Sequence, residues 1–221
     1  MVIVKKTYKD QVIDHIYQML LADQLKPGDR LKESLLALEM GISRAPIREA
    51  LKELMTLGLI DYKPQIGNFL PVMTPKQIID SYTTRGVLEG YAVMSASEHF
   101  TRQELERLDR LVDDMGQAAR DGEHKQVVDI GGEFHDFLVA RSDNQQLLEY
   151  SSRLSMKLHV LFYKHWGMLY RPDEIEQRHR AIVTSIKAQD KTRIEQVVRA
   201  HYVETGSKIV AVQALNSVTV I

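Results

Sequence analysis

Apolar residues recur along most of this chain at intervals of three and four, broken at intervals by Pro, Gly and Asp, a pattern that predicts a mainly helical protein. Val12, Ile13, Ile16, Met19 and Leu20 mark a first amphipathic helix over residues 7–23. A Lys26-Pro27-Gly28-Asp29 turn leads into a short helix over 32–40, with Leu35, Leu36 and Leu38 inward and Gly41 closing it. Ser43 is the N-cap of the next helix, Pro46 sits in its first turn, and Gly58 ends it after Leu57. Residues 59–62 and 68–71 then read as two short strands around a hairpin at 63–67. Helix, helix-turn-helix and hairpin in this order make a winged helix-turn-helix.

After Val72-Met73-Thr74-Pro75 the pattern holds only helices. They are predicted over 75–99, 101–120, 125–141, 144–166, 172–189 and 191–215, with a Thr101–Glu104 capping box opening the second and Gly167 stopping the fourth. Short connections between six helices predict an antiparallel all-helical bundle. The resulting division is a DNA-binding domain over 1–72, a linker over 73–76, a helical domain over 77–215 and a loose tail over 216–221.

Arg44 and Arg48 give the first module its chemistry. Four residues apart, they project from one side of a helix whose other side carries Ile47, Ala50, Leu51 and Leu54. A buried back and a forked cationic front suit major-groove readout, because arginine pairs bidentately with guanine O6 and N7. The competing reading is a solvated face with Arg44 paired to Glu49 and Arg48 to Glu53. Composition narrows the rest. Up to Pro71 there are ten Lys/Arg against nine Asp/Glu, so non-specific affinity for DNA is expected to be modest. The absence of cysteine removes disulfides and thiolate chemistry and fits a reducing cytoplasm. No signal-peptide core or apolar run of roughly 18 residues is found, so a soluble, cytoplasmic protein with no membrane partner is expected.

The Leu25-Lys26-Pro27-Gly28-Asp29-Arg30-Leu31 stretch, the Ser43-Arg44-Ala45-Pro46-Ile47-Arg48-Glu49-Ala50-Leu51 run and Gly58-Leu59-Ile60 resemble the DNA-binding domain of the GntR family of bacterial regulators. That resemblance spans about residues 8–71. It implies operator contacts from Arg44 and Arg48, a phosphate anchor at Ser43 and a wing tip around Gly67; Lys32, Lys52 and Lys63 add local cations to the two arginines. Family members often carry a basic or polar residue before that glycine; this chain has Ile66, leaving Asn68 or Gln65 as substitutes.

In the second half His135, His179 and His201 each lie in a predicted helix with apolar neighbours, so their imidazoles can converge in a bundle interior. Three neutral imidazoles suit zinc, nickel and similar borderline metals, although satisfied core histidines have the same pattern. Arg85-Gly86-Val87-Leu88-Glu89, Phe134-His135, Ser142-Asp143-Asn144 with Leu147, and the stretch from His179 through Gln189-Asp190 to His201 resemble the FCD effector domain of FadR-type GntR regulators. The resemblance implies a divalent metal on His135, His179 and His201, a small carboxylate effector beside it, and a homodimer. Its fourth ligand, an aspartate one turn before His135, is replaced by Gly131. Asp129, Glu133 and Asp136 are the nearby acids and lie off the His135 face.

Arg85 is the candidate carboxylate partner, its alternative being an i,i+4 pair with Glu89. Tyr82, Tyr163 and Trp166 are candidate cavity residues, Gly131 leaves room for ligand or water, and Asn144 is a helix cap and a candidate effector-binding residue. The resulting reading is a ligand-responsive transcription repressor, not an enzyme. Its rivals are a metal-dependent hydrolase with Glu133 or Asp136 as general base, a regulator with a metal-free pocket, and a scaffold whose second domain only dimerises. The hydrolase lacks a His-Glu-x-x-His motif and leaves the arginine helix unexplained.

Overall fold

The computed structural model describes residues 6–218, and the chain divides into two compact units after Met73. In the first unit, α1 (Tyr8–Leu21) opens on a capping box in which Thr7 and Asp10 satisfy each other's backbone donors. The helix α2 (Glu33–Met40) ends on Gly41 in the left-handed region at φ 65°, and α3 (Arg44–Thr56) follows. Ser43 holds the N-cap position of α3, but its side chain makes no capping hydrogen bond. Val12, Ile13 and Ile16 of α1 and Ile47, Ala50, Leu51 and Leu54 of α3 are buried together as the core of this unit.

Two features of this unit differ from the sequence-based expectation. Leu36 is buried, whereas Leu35 and Leu38 are exposed; three residues apart, they share a helix face that Leu36 does not. The wing has three strands: β1 (Arg30–Leu31), β2 (Asp61–Lys63) and β3 (Gly67–Phe69), in the order β1-β3-β2 and antiparallel throughout. Two residues carry no readable alternation, so β1 is invisible in the pattern. It is fixed instead by the Gly28 N–H donating to the Leu70 carbonyl and the Leu70 N–H to the Asp29 carbonyl.

The second unit is helical across its described residues. It contains α4 (Pro75–Ala96), a 3₁₀ turn over Ser97–His99, α5 (Arg102–Arg120), α6 (His124–Val139), α7 (Gln145–Leu169), α8 (Pro172–Lys187) and α9 (Lys191–Val218). The predicted Thr101–Glu104 capping box is present, and Thr74 and Gln77 form another at the start of α4. Gly167 does not stop α7, which continues to Leu169 and ends on extended Tyr170 and Arg171 ahead of Pro172. Residues 216–218, predicted as tail, belong to α9, which continues to Val218; the remaining predicted tail residues, 219–221, lie outside the described part. α4 packs along α9, α5 against α8 and α6, and α6 against α7. The α4–α9 approach needs glycine: a Cβ at Gly206 would lie 2.9 Å from the Tyr82 Cβ, and one at Gly86 would lie 3.1 Å from that of Tyr202.

Candidate functional site

The helices α6, α8 and α9 bring His135, His179 and His201 together, with one ring nitrogen from each lying within 4.8 Å of the others. Packing fixes the rings. Fully buried Phe134 stands edge-on to both His135 and His179, at centroid distances of 5.3 and 5.2 Å. His179 Nδ1 is held 2.7 Å from the Ile175 carbonyl one turn earlier, and His135 Nδ1 lies 2.5 Å from Glu89 Oε1. With those nitrogens donating, the Nε2 atoms remain available as ligands. The Nδ1 atom of His201 is buried without a hydrogen-bond partner. Three imidazoles with two tied-back nitrogens and one orphaned nitrogen fit a borderline divalent metal.

Burial and neighbouring positive charge disfavour protonation of two of the three rings. Burial pushes His179 well below its ordinary pKa, and the adjacent His135 acts in the same direction. Burial and then the Arg178 charge do the same to His201. Both rings are therefore neutral and able to ligate. Glu89 is fully buried, and burial alone would raise its carboxyl; His135 and Arg85, with hydrogen bonds from His135 and Tyr202, hold it below its ordinary value instead.

Sequence reasoning missed Glu89 as the partner of His135. Arg85 and Glu89 form an ion pair at 3.0 Å, and Tyr202 donates to Glu89 at 2.8 Å. Arg85 also donates to Ser155 Oγ at 2.6 Å and to the Ser151 carbonyl. Its guanidinium is thus committed to the protein, so the i,i+4 alternative describes it better than the role of effector partner. Asp136, at 3.7 Å, adds a second acid to Arg85. Glu133 and Asp129 pair instead with Arg107 and Lys125.

A cavity of about 110 Å³ opens beside the triad, and Tyr82, Arg85 and Gly131 are among the residues that line it. At Gly131 an added Cβ would meet nothing closer than Met115 at 4.0 Å, so the position of the missing aspartate is open space. Gly132 serves a different purpose, because a Cβ there would collide with the His159 ring at 2.9 Å. Three expectations are corrected. Asn144 is exposed and caps α7 by accepting from the Leu147 N–H; it is not among the residues that line the cavity. Phe162 lines the cavity in place of Tyr163, and Trp166 packs edge-on against His124. Arg178 also lines the cavity, and no local sequence pattern marks it.

On the first unit, Ser43, Arg44, Arg48 and Lys32 are exposed. Arg48 Nε is 3.0 Å from Glu33 Oε2, so its helix-surface partner is Glu33 and not Glu53, which pairs with Lys9. Gly67 takes φ 103°, a value that favours glycine, and the Arg30 guanidinium lies against it. Asn68 is corrected: at 8% exposure, in the central strand, it is not available at the wing surface.

Residues 8–70 match the family described as bacterial regulatory proteins, gntR family, and residues 80–204 match the FCD domain. The chain is 28% identical over 196 residues to the HTH-type transcriptional regulator YdhC of Bacillus subtilis, covering 88% of each chain. It is 25% identical over 197 residues to a probable D-xylose utilization operon transcriptional repressor of Paenarthrobacter nicotinovorans, covering 89% of this chain and 86% of that one. Escherichia coli McbR is 30% identical over 185 residues, covering 82% of this chain and 83% of McbR. Its solved structure superposes with a TM-score of 0.76 over 96% of this chain and 100% of that one, at 24% identity in the structural alignment. These relatives are transcription regulators, not enzymes, which removes the hydrolase reading. No helix among the described residues is long and apolar enough to cross a membrane. With both units matched, the chain belongs to the GntR family of bacterial regulators, in its FadR-type branch with an FCD domain.

Proposed function

We propose that this regulator is a homodimeric, cytoplasmic repressor that releases its operator when a small carboxylate enters the cavity of the FCD domain. The observation that carries this reading is the triad of His135, His179 and His201 at the wall of one cavity. These residues would hold a divalent metal such as zinc or nickel, which when bound supplies a Lewis-acidic position for a carboxylate oxygen. Glu89 orients His135, the Ile175 carbonyl orients His179, and Gly131 leaves the fourth direction free for ligand or water. A regulator whose cavity works without metal is the alternative, and metal analysis separates the two.

In the first unit Arg44 and Arg48 read base edges, Ser43 and Lys32 contact phosphates, and the wing around Gly67 approaches the adjacent backbone. Arg30, beside Gly67, joins this set, whereas buried Asn68 leaves it. In a dimer the two α3 helices would meet half-sites about 34 Å apart, one turn of the duplex. The ligand acts by binding one of two arrangements of the dimer more tightly; equal affinity for both would release nothing. Arg44→Ala and Arg48→Ala should each weaken a specific operator shift by about 1–3 kcal/mol, or roughly 5- to 150-fold, with unchanged helical circular dichroism. Unchanged sequence-specific binding in both variants would falsify the assigned reading helix.

A further inference from the structure

The tip of the wing presents an apolar side chain to solvent, on a backbone that is held in place. Lys63-Pro64-Gln65-Ile66 is a closed turn, with the Ile66 N–H donating to the Lys63 carbonyl at 3.1 Å. Pro64 fixes the first central residue and Gln65 takes φ 65° at the second, the type II pattern that glycine or asparagine fills most easily. Gly67 then pairs with Lys63 across β2 and β3, so the tip is anchored on both sides. Ile66 is 51% exposed there. Two cations stand beside it. Arg30 in β1 lies against Gly67, with guanidinium nitrogens 3.4 and 3.5 Å from where a Cβ would be, and Lys63 Nζ lies 4.5 Å from the Phe69 ring centroid. Neither is ion-paired among the described residues. The one acid of the three strands, Asp61, sits at the far end of β2, opposite Phe69.

We infer that Ile66 is a specificity-determining residue, which enters the minor groove beside the bases read by α3 and makes that position selective for A·T over G·C pairs. The inference rests on the reading of the first unit as the operator-binding module, and it gives the wing a base-selective role beyond its approach to the backbone. The minor groove, about 6 Å wide, excludes a helix but admits a side chain carried on a tight turn. Arg30 and Lys63 suit the phosphates along its edges. On the groove floor A·T and T·A present acceptors only, whereas G·C adds the guanine N2 amino donor. That amino group projects from the floor, and an isoleucine packed over it removes its water without accepting its hydrogen bond. Over A·T the methyl groups meet a smoother floor, in a groove whose more negative potential favours the two cations. A polar side chain at position 66 could hydrogen-bond to either floor; isoleucine can do so with neither.

The test uses the full-length protein and a synthetic duplex library with about 30 randomised base pairs, room for two half-sites one duplex turn apart. Selection yields a tightly bound duplex, and Arg44→Ala and Arg48→Ala mark the pairs read from the major groove. Each remaining pair is then set in turn to A·T, G·C and inosine·C. Inosine is guanine without the N2 amino group, so inosine·C differs from G·C in the minor groove alone. In gel-shift titrations, at least one position per half-site should bind about fivefold or more weakly as G·C than as A·T, with inosine·C within about twofold of A·T. Ile66→Gln and Ile66→Thr, whose oxygens accept from the amino group, should each narrow that gap to about twofold or less. Binding of the inosine·C duplex shows in the same titration that a variant is folded. Equal affinity for A·T and G·C at every such position overturns the inference, as does inosine·C behaving like G·C. A gap undiminished in both variants also overturns it, because groove width alone would then produce the preference. Such a failure with a selected duplex in hand removes the role of Ile66 alone. A library that yields no enriched sequence removes the regulator reading and this inference with it.

Discussion

Glu89 connects the stability of the second unit to its candidate chemistry. Its two oxygens satisfy His135, Arg85 and Tyr202 at zero exposure, so losing its charge strands a buried guanidinium. Glu89→Gln should therefore cost about 3–5 kcal/mol in urea unfolding and weaken nickel binding about 10- to 100-fold. Tyr202→Phe, which removes one hydrogen bond to a charge, should cost only about 1.5–3 kcal/mol; the opposite ranking would contradict the network. The Arg85–Glu89 pair was readable at i,i+4, but the contact of Glu89 with His135 spans 46 residues and leaves no local trace. Buried His179 and His201 also determine a pH response. Their folded pKa values lie below the unfolded value of about 6.5, so below that pH the unfolded chain binds protons that the folded chain refuses. Stability of the chelator-treated protein should be flat above about pH 7 and should fall on acidification, by up to about 1.4 kcal/mol per pH unit for each histidine. Denaturation curves at a series of pH values check this, and a flat profile down to pH ~5 would rule it out.

At the scale of the element, helices were legible where an apolar stripe and a cap coincided, as in α5, because both signals are local. What depended on distant partners was not. The strand β1 exists only through its pairing with β3, and α7 passes Gly167 because Pro172, rather than the glycine, sets its end. The adjacent glycines of α6 show the same limit. Both read as helix-weakening residues that keep space open, yet they face different neighbours. Gly131→Ala places a methyl at ordinary contact distance from Met115 and should stabilise α6 by up to about 1 kcal/mol. Gly132→Ala drives a methyl to 2.9 Å from His159, whose Nε2 is held 2.5 Å from the Val128 carbonyl, and should destabilise by about 1–3 kcal/mol. Thermal melts of the two variants should move in opposite directions; movement in the same direction would remove the distinction.

Across the whole molecule, the family and the fold class could be read from ordered motifs on both sides of the linker, whereas the full lining of the cavity could not. Arg178 sits one residue before His179 and resembles any surface cation on a helix until α9 covers it. The long-range question is whether a metal belongs to the folded second unit or only visits it. A ligand that binds the folded chain alone stabilises it by about 2.7 kcal/mol at one hundred times its dissociation constant. For a chain of this size that equals roughly 5–10 °C in melting temperature. Chelation should lower the melt of native protein by about that amount, with nickel restoring it. His135→Ala/His179→Ala should contain no metal and respond to neither treatment. The pairing of the two results is what discriminates. Metal bound at scattered surface histidines would survive in the double variant, and a metal-free pocket would leave the native melt unmoved by chelator. Only a site built from the triad links elemental content and melting temperature to the same two side chains.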